Sequence, residues 1–125
     1  ENARMSFKQI SEAVGITSPA VKSRIEKMEK DKIIRGYCLD LDKKSIGFMV
    51  TAFISISVDS AAKPSFDAFI QNCPNVLECY GITGKVLFRS TMDLDNFLTR
   101  LQKFGETSTN IVLSTYKDSH TYIQE

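Results

Sequence analysis

The sequence predicts an α+β protein in which two short helices precede a domain of alternating strands and helices. Three observations predict this. The first 36 residues contain two helix-start signals separated by a glycine. Residues 49–59 alternate apolar and polar side chains at period two, as a half-buried strand does. The residues after them contain two apolar stretches at helical spacing, each set between further strand-like segments.

The first helix is predicted to begin after Ser6. Ser6 and Gln9 have the spacing of a capping box, in which each side chain accepts a hydrogen bond from the other's backbone N–H. Gly15 is placed where a left-handed residue would end the helix. The predicted apolar stripe consists of Phe7, Ile10 and Val14.

A second helix begins almost at once, with either Thr17 or Ser18 as its N-cap. Its predicted buried stripe consists of Val21, Ile25 and Met28. Two short helices joined by a glycine-containing turn form a helix-turn-helix, whose second helix enters the major groove of double-stranded DNA. The predicted DNA-contacting residues are Thr17, Ser18, Pro19, Lys22, Ser23, Arg24 and Lys27.

The charge distribution agrees with a DNA-binding first third. Residues 1–36 carry eight bases and five acids, a net charge of +3, whereas residues 37–125 carry a net charge of −2. The alternative interpretation is a pair of amphipathic helices whose lysines are merely solvated.

The rest of the chain is predicted to begin with a linker strand or hairpin at residues 33–42 and a turn at 43–47. Strands follow at 49–59, 76–82, 86–91 and 108–116. Pro64 opens a helix that Pro74 ends, and Asp93 caps a second helix that Gly105 closes. Thr83 and Gly84 are predicted to form the turn between the second and third strands.

The order βαββαβ predicts a ferredoxin-like domain, with an antiparallel sheet covered by helices on one face. Thr51, Phe53 and Tyr116 are candidates for the open face, whereas Ile111 and Leu113 should point inward. The predicted organisation is a helix-turn-helix at 1–36, a linker at 37–47 and the ferredoxin-like domain at 48–125.

Composition and motifs exclude several classes of protein. The chain has 125 residues, 42% of them hydrophobic, and no apolar run approaches the roughly 20 residues that span a bilayer. Three cysteines without a CxxC pair indicate reduced thiols in a cytoplasmic protein rather than a zinc site. The one histidine, His120, supports no nucleophile–base pair, and no Walker-type loop is present. We expect no enzyme activity, cofactor or metal.

Three segments resemble the Lrp/AsnC family of prokaryotic transcriptional regulators. Residues 15–29 read GITSPAVKSRIEKME and are followed at 31–37 by DKIIRGY. Residues 74–84 read PNVLECYGITG, and residues 108–118 read STNIVLSTYKD. The resemblance implies promoter binding, a dimer formed by the linker strand and the open sheet face, and dimers that join into octamers.

The resemblance also implies an effector, often an amino acid, held between dimers near the strand-to-strand loop. The implied effector-binding residues are Tyr80, Gly81, Ile82, Thr83, Gly84 and Thr109, and free backbone groups of the loop are expected to clasp the effector. Two departures from the family pattern are noted. A first helix is expected before Glu1, and the segment after Gly84 is about three residues shorter, without the family's acidic residue.

Two other functions remain open from the sequence. One is an architectural DNA-binding protein that responds to no effector, which the shortened loop favours. The other is a ferredoxin-like module that binds a small molecule and carries incidental helices. The paired helix caps argue against the second.

Overall fold

The computed structural model describes residues 2–118, which form two compact units, residues 2–40 and residues 41–118. The division falls within 37–47, the segment predicted as the linker. The limits 1–36, 37–47 and 48–125 remain a prediction. His120 lies outside the described residues.

The first unit contains α1 (Phe7–Val14) and α2 (Ser18–Lys30). The capping box is confirmed, because Ser6 Oγ accepts from the Gln9 N–H at 3.2 Å while the Ser6 N–H donates to Gln9 Oε1 at 2.9 Å. Gly15 ends α1 with φ 72°, in the left-handed region where a residue without Cβ is favoured.

Thr17 is the N-cap of α2, which decides between the two candidates. Its Oγ1 accepts from the Ala20 N–H at 3.4 Å. On the buried side of α2, Val21 is fully buried while Ile25 and Met28 are half-buried, as predicted. The stripe of α1 is less covered, because Phe7 and Val14 are exposed and Ile10 alone is half-buried.

The linker strand is a correction. Residues 34–42 adopt no strand in the described chain, since their backbone has no sheet partner there. A strand requires hydrogen bonds to a neighbour, and the loose alternation of side chains at 33–42 supplies none by itself. The turn at 43–47 is present, and Asp42 accepts hydrogen bonds from the backbone N–H and the hydroxyl of Ser45, which lower the pKa of that carboxyl.

The second unit is a four-stranded antiparallel sheet in the order β2-β3-β1-β4. Its elements are β1 (Val50–Val58), a 3-10 turn (Ser60–Ala62), α3 (Lys63–Gln71), β2 (Val76–Tyr80), β3 (Thr83–Phe88), α4 (Thr91–Leu101) and β4 (Gly105–Ile111). This is the predicted βαββαβ arrangement. The fold class is therefore confirmed.

The core lies between the sheet and the two helices α3 and α4. Alternate residues of β1 are buried, and Ala52, Ile54 and Ile56 form the centre of the cluster. Aromatic rings from the helices and their flanks cover it, and the Phe69 ring centroid lies 5.2 Å from that of Phe104. Such a one-sided core leaves the opposite face of the sheet without helices.

The hairpin between β2 and β3 differs from the prediction. Tyr80 pairs with Thr83, so Gly81 and Ile82 form the turn, whereas Thr83 and Gly84 belong to β3. Gly81 has φ 57° at the first central position of a two-residue turn, where type II′ hairpins favour glycine. The strand predicted at 86–91 therefore begins at residue 83.

The start of α4 is a further correction. Ser90, not Asp93, is the N-cap, and its hydroxyl accepts from the Asp93 N–H at 3.1 Å. Asp93 lies in the first turn instead, where a negative charge suits the helix dipole.

The last strand begins and ends earlier than predicted. Gly105 is the first residue of β4 rather than the residue that closes α4, because it packs directly against the β1 backbone at Ser57. Ile111 lies on the helix-covered face but is 46% exposed. Leu113 and Tyr116 lie beyond β4 and are 91% and 98% exposed, so neither belongs to a sheet face.

Candidate DNA-binding and ligand sites

Helix α2 presents a basic face that is held in place by contacts at its start. Ser18 is half-buried, and its hydroxyl donates to the Ser11 hydroxyl at 3.3 Å. The Thr17 hydroxyl oxygen accepts the N-cap hydrogen bond from the Ala20 N–H. Two of the seven predicted DNA-contacting residues thus have structural partners within the helix-turn-helix itself.

The other five predicted residues are all exposed on α2. They are Pro19, Lys22, Ser23, Arg24 and Lys27. Because Pro19 and Ser23 are four positions apart, they lie one above the other on the helix surface, and Lys27 continues the same row. The exposed row leaves these side chains accessible, and their contact with base edges or phosphates stays a prediction.

Two acidic side chains of α2 have partners near them in the first unit. Glu26 lies 3.8 Å from the ammonium of Lys22, an exposed pair of the i,i+4 type. Glu29 accepts a hydrogen bond from the phenol of Tyr37 at 2.8 Å, which raises the pKa of Tyr37. Among residues 2–118, neither Arg24 nor Lys27 has an ion pair. The positive charge of this face is therefore available to phosphates.

The predicted effector loop is a tight hairpin in the second unit. Tyr80 ends β2 and is 74% exposed, and Ile82 in the turn is exposed as well. The carbonyl of Ile82 accepts from the Ile56 N–H at 2.8 Å. Thr83 and Gly84 pair with both neighbouring strands. The expectation of free backbone groups is therefore wrong for Thr83 and Gly84, because the sheet pairs them on both sides. For the turn residue Gly81 it stays a prediction.

Thr83 and Thr109 lie on opposite faces of the sheet. Thr83 pairs with Ser55 of β1, and their hydroxyls are 3.2 Å apart. Thr109 pairs with Ile54, on the helix-covered face, and β1 separates it from β3. Two strand spacings amount to about 10 Å. Within one chain, the five predicted effector residues at 80–84 therefore lie together, and Thr109 lies apart from them.

Ser55 is a neighbour of this hairpin that the sequence reasoning did not single out. The period-two pattern of β1 places it on the open face, but only the register with β3 shows that it opposes Thr83. One polar row crosses the four strands and consists of Tyr80, Thr83, Ser55 and Ser108.

Cys79 lies on the other face of the sheet, where burial raises the pKa of its thiol.

Comparison with known proteins now identifies the chain. Residues 51–122 match the family described as the Lrp/AsnC ligand binding domain, and residues 1–35 match a winged helix-turn-helix DNA-binding family. The chain belongs to the Lrp/AsnC family. It is an Lrp/AsnC-type transcriptional regulator with a helix-turn-helix and a ligand-binding domain.

Individual Lrp/AsnC relatives are similar over most of their length. The HTH-type transcriptional regulator LrpA of Bacillus subtilis is 30% identical over 120 residues, which cover 90% of this chain and 88% of that protein. The structure of AsnC from E. coli is 30% identical, with a TM-score of 0.83 over 96% of this chain and 88% of that one. A transcriptional regulator of Neisseria meningitidis, solved in complex with L-methionine, has a TM-score of 0.89 at 23% identity, covering 98% and 87%.

These comparisons confirm the resemblance to the Lrp/AsnC family. Residues 1–35 match a DNA-binding family. This match argues against a stand-alone ligand-binding module that carries incidental helices. Across residues 2–118, no helix of this Lrp/AsnC protein has the length and apolar content to cross a membrane.

Proposed function

We propose that this Lrp/AsnC protein binds promoter DNA through the exposed face of α2 and that an amino acid modulates this binding. The observation that carries the proposal is the basic row of α2, which a capped and cross-bridged helix-turn-helix presents to solvent. Lys22, Ser23 and Pro19 are assigned to base edges, and Arg24 and Lys27 to phosphates. Thr17 and Ser18 are assigned to holding the helix.

The effector is proposed to bind at the β2–β3 hairpin, residues 80–84, with Ser55 beside Thr83. The exposed Tyr80 and Ile82 supply apolar surface, and the hydroxyls of Thr83 and Ser55 supply polar groups. A relative solved with L-methionine supports the amino-acid class. Since Thr109 lies on the other face, its proposed contact with the same effector requires a second copy of the chain.

Assembly into dimers and octamers is part of the proposal. Support comes from the sheet face opposite the helices, where Phe53 is exposed in the middle of β1. The exposed residues Tyr37, Leu39 and Leu41 supply further apolar surface. The chain is proposed to act in the cytoplasm, where promoter DNA is accessible, and to catalyse no reaction.

The test is a gel shift with the full-length protein on its own upstream DNA, with each amino acid added in turn. A shift whose midpoint one amino acid changes, together with loss of that response in Tyr80→Ala, supports the proposal. A response that persists in Tyr80→Ala would move the effector away from the hairpin. Analytical ultracentrifugation of the same protein tests the assembly.

An effector-independent architectural DNA-binding protein is the second candidate. The paired backbone of β3 favours it, because Thr83 and Gly84 have no spare backbone groups with which to hold an amino acid. DNA binding that is indifferent to all amino acids would select this candidate. No binding by a folded oligomer would reject both.

A further inference from the structure

A cleft of about 310 Å³ lies at the end of the ligand-binding domain away from the β2–β3 turn. It is formed where α3 ends, β2 starts, β3 ends and α4 begins. The six residues of β3 separate it from Gly81 and Ile82 by about 17 Å. Its polar lining includes Asn72, Asn75, Arg89, Asp93, Asn96 and Arg100. The cleft is thus separate from the proposed effector site.

Two guanidinium groups line this cleft, and aromatic rings position both of them. The Arg89 guanidinium lies 5.0 Å from the centroid of the Phe48 ring, and that of Arg100 lies 5.1 Å from the centroid of Phe69. Neither arginine forms an ion pair within residues 2–118. Arg89 Nη1 donates one hydrogen bond to the Ile46 carbonyl at 3.5 Å. Two guanidinium groups without ion pairs in one concave surface favour an anion, and their planar N–H pairs match carboxylate and phosphate oxygens.

The apolar floor consists of aromatic side chains, of which Phe88 and Phe97 are buried and Phe48 is half-buried. Phe48, Phe88 and Phe97 line the cleft, and the rings of Phe88 and Phe97 are 5.3 Å apart. Cys73 lies on the same surface. Burial raises the pKa of its thiol, and the positive charge of Arg100 partly offsets that rise. A volume of this size is at the lower end of the range for small-molecule sites.

The asparagines and Asp93 add directional polar groups. The Asn75 side-chain amide donates to the Leu87 carbonyl at 2.8 Å, which fixes its orientation at the cleft wall. The side-chain amide of Asn96 is exposed and has no hydrogen-bond partner among residues 2–118. Asp93 adds one carboxylate to the lining of the same cleft, which disfavours multiply charged anions and favours a ligand with a single anionic group.

We propose that this cleft is a second ligand site, which binds a small metabolite through one carboxylate or phosphate group. Arg89 and Arg100 bind the anionic group, and the apolar part of the metabolite packs on Phe48, Phe88 and Phe97. This goes beyond the proposed effector function, because it involves neither the hairpin nor DNA.

Isothermal titration of the full-length protein with three probes tests the proposal. The probes are 4-methyl-2-oxopentanoate, L-leucine, which has the same carbon skeleton, and inorganic phosphate. Saturable binding of 4-methyl-2-oxopentanoate assigns a carboxylate ligand, and binding of phosphate alone assigns a phosphate-bearing one. Arg89→Gln and Arg100→Gln are each expected to weaken binding about tenfold, since each removes one charge-assisted hydrogen-bond donor group.

Three further variants make the result specific. Lys103→Gln removes one exposed charge of the same unit outside the cleft and should leave binding unchanged. Tyr80→Ala, at the hairpin, should also leave it unchanged. Asp93→Asn should strengthen binding of 4-methyl-2-oxopentanoate and phosphate, because it removes the repelling carboxylate, whereas L-leucine should gain less since Asp93 can pair with its amino group.

Several results would overturn the assignment. One is the absence of saturable binding by all three probes. A second is equal weakening by Lys103→Gln, which would indicate a general charge effect. A third is loss of binding in Tyr80→Ala with no change in the arginine variants, which would place the ligand at the hairpin. If circular dichroism shows that either glutamine variant is unfolded, Arg89→Lys and Arg100→Lys replace them. These lysine variants keep the positive charge but remove the two-pronged contact of the guanidinium. Unchanged ligand binding in both lysine variants would also overturn the assignment.

Discussion

Ser18 donates a hydrogen bond to Ser11 across the turn of the helix-turn-helix, with their hydroxyl oxygens 3.3 Å apart. The bond joins α1 to the first turn of α2 at a half-buried position. It therefore sets the direction in which α2 leaves the turn. Ser23, one and a half turns further along, is exposed and has no such partner within residues 2–118.

The two serines should respond differently to removal of the hydroxyl. Ser23→Ala is expected to weaken binding to the promoter by about 1–3 kcal/mol while leaving random DNA unaffected, because it removes a base contact. Ser18→Ala should lower the free energy of unfolding by about 1 kcal/mol and weaken both DNAs alike. Gel shifts on specific and random DNA, with urea unfolding of each variant, measure both. Equal losses on the two DNAs for Ser23→Ala would refute its assignment.

Lys27 should act as a phosphate contact. Lys27→Ala is expected to weaken binding to all DNA sequences about equally and to lower the slope of log K against log salt by about 1. The measurement is a salt titration of DNA affinity, with Lys103→Ala in the second unit as a control for net charge. A slope that is the same in Lys27→Ala and in the unaltered protein would leave Lys27 as a solvated side chain.

The helix-turn-helix was predictable from sequence because its signals are local. The Ser6–Gln9 capping box, Gly15 and the Thr17 cap each act within four residues of chain, and all are present as hydrogen bonds or backbone angles. The strand β1 was equally clear, since nine residues alternate at period two. Local patterns of this kind depend on no distant partner.

The β2–β3 hairpin was placed wrongly because two turns fit the same sequence. Both Gly81 and Gly84 can supply a glycine, and only the pairing of Tyr80 with Thr83 decides between them. Register is a non-local property, so it is not readable from either strand alone. The cleft with Arg89 and Arg100 is not predictable for the same reason, because the two arginines are eleven positions apart in the chain and each resembles an ordinary surface base.

The cap of α4 gives a test of one correction. Ser90→Ala should lower the free energy of unfolding of the second unit by about 1 kcal/mol, because the Asp93 N–H loses its acceptor. Asp93→Asn should cost less, about 0.3–1 kcal/mol, since only the interaction with the helix dipole is lost. Chemical unfolding at low salt measures both variants. A larger loss for Asp93→Asn would restore the aspartate as the cap.

Gly105 and Gly36 form a matched pair for backbone crowding. Their φ angles are nearly equal, at 157° and 158°. A Cβ added at Gly105 would overlap the carbonyl oxygen of Ser57, whereas a Cβ added at Gly36 would have none of the described atoms within 4 Å. Gly105→Ala should therefore destabilise the second unit by about 3 kcal/mol or more, because β4 must move away from β1. Gly36→Ala, outside the sheet, strains only its own backbone, so it should lower the free energy of unfolding of the first unit by less, about 1–3 kcal/mol. Equal effects of the two substitutions would show that backbone angle alone, not the approach of β4 to β1, determines the loss.

The three thiols should differ in their rates of alkylation. Cys38 is exposed, whereas burial raises the pKa values of Cys73 and Cys79. The thiolate is the reactive form, so at pH 8 iodoacetamide should modify Cys38 first and the other two should react faster as the pH rises. Arg100→Gln removes the cation that partly offsets the shift at Cys73, so this substitution should slow Cys73 further and leave Cys79 unchanged. Peptide mass spectrometry over time gives all three rates, and alkylation in denaturant should make them equal. Fast modification of Cys79 in the native protein would contradict its position on the helix-covered face.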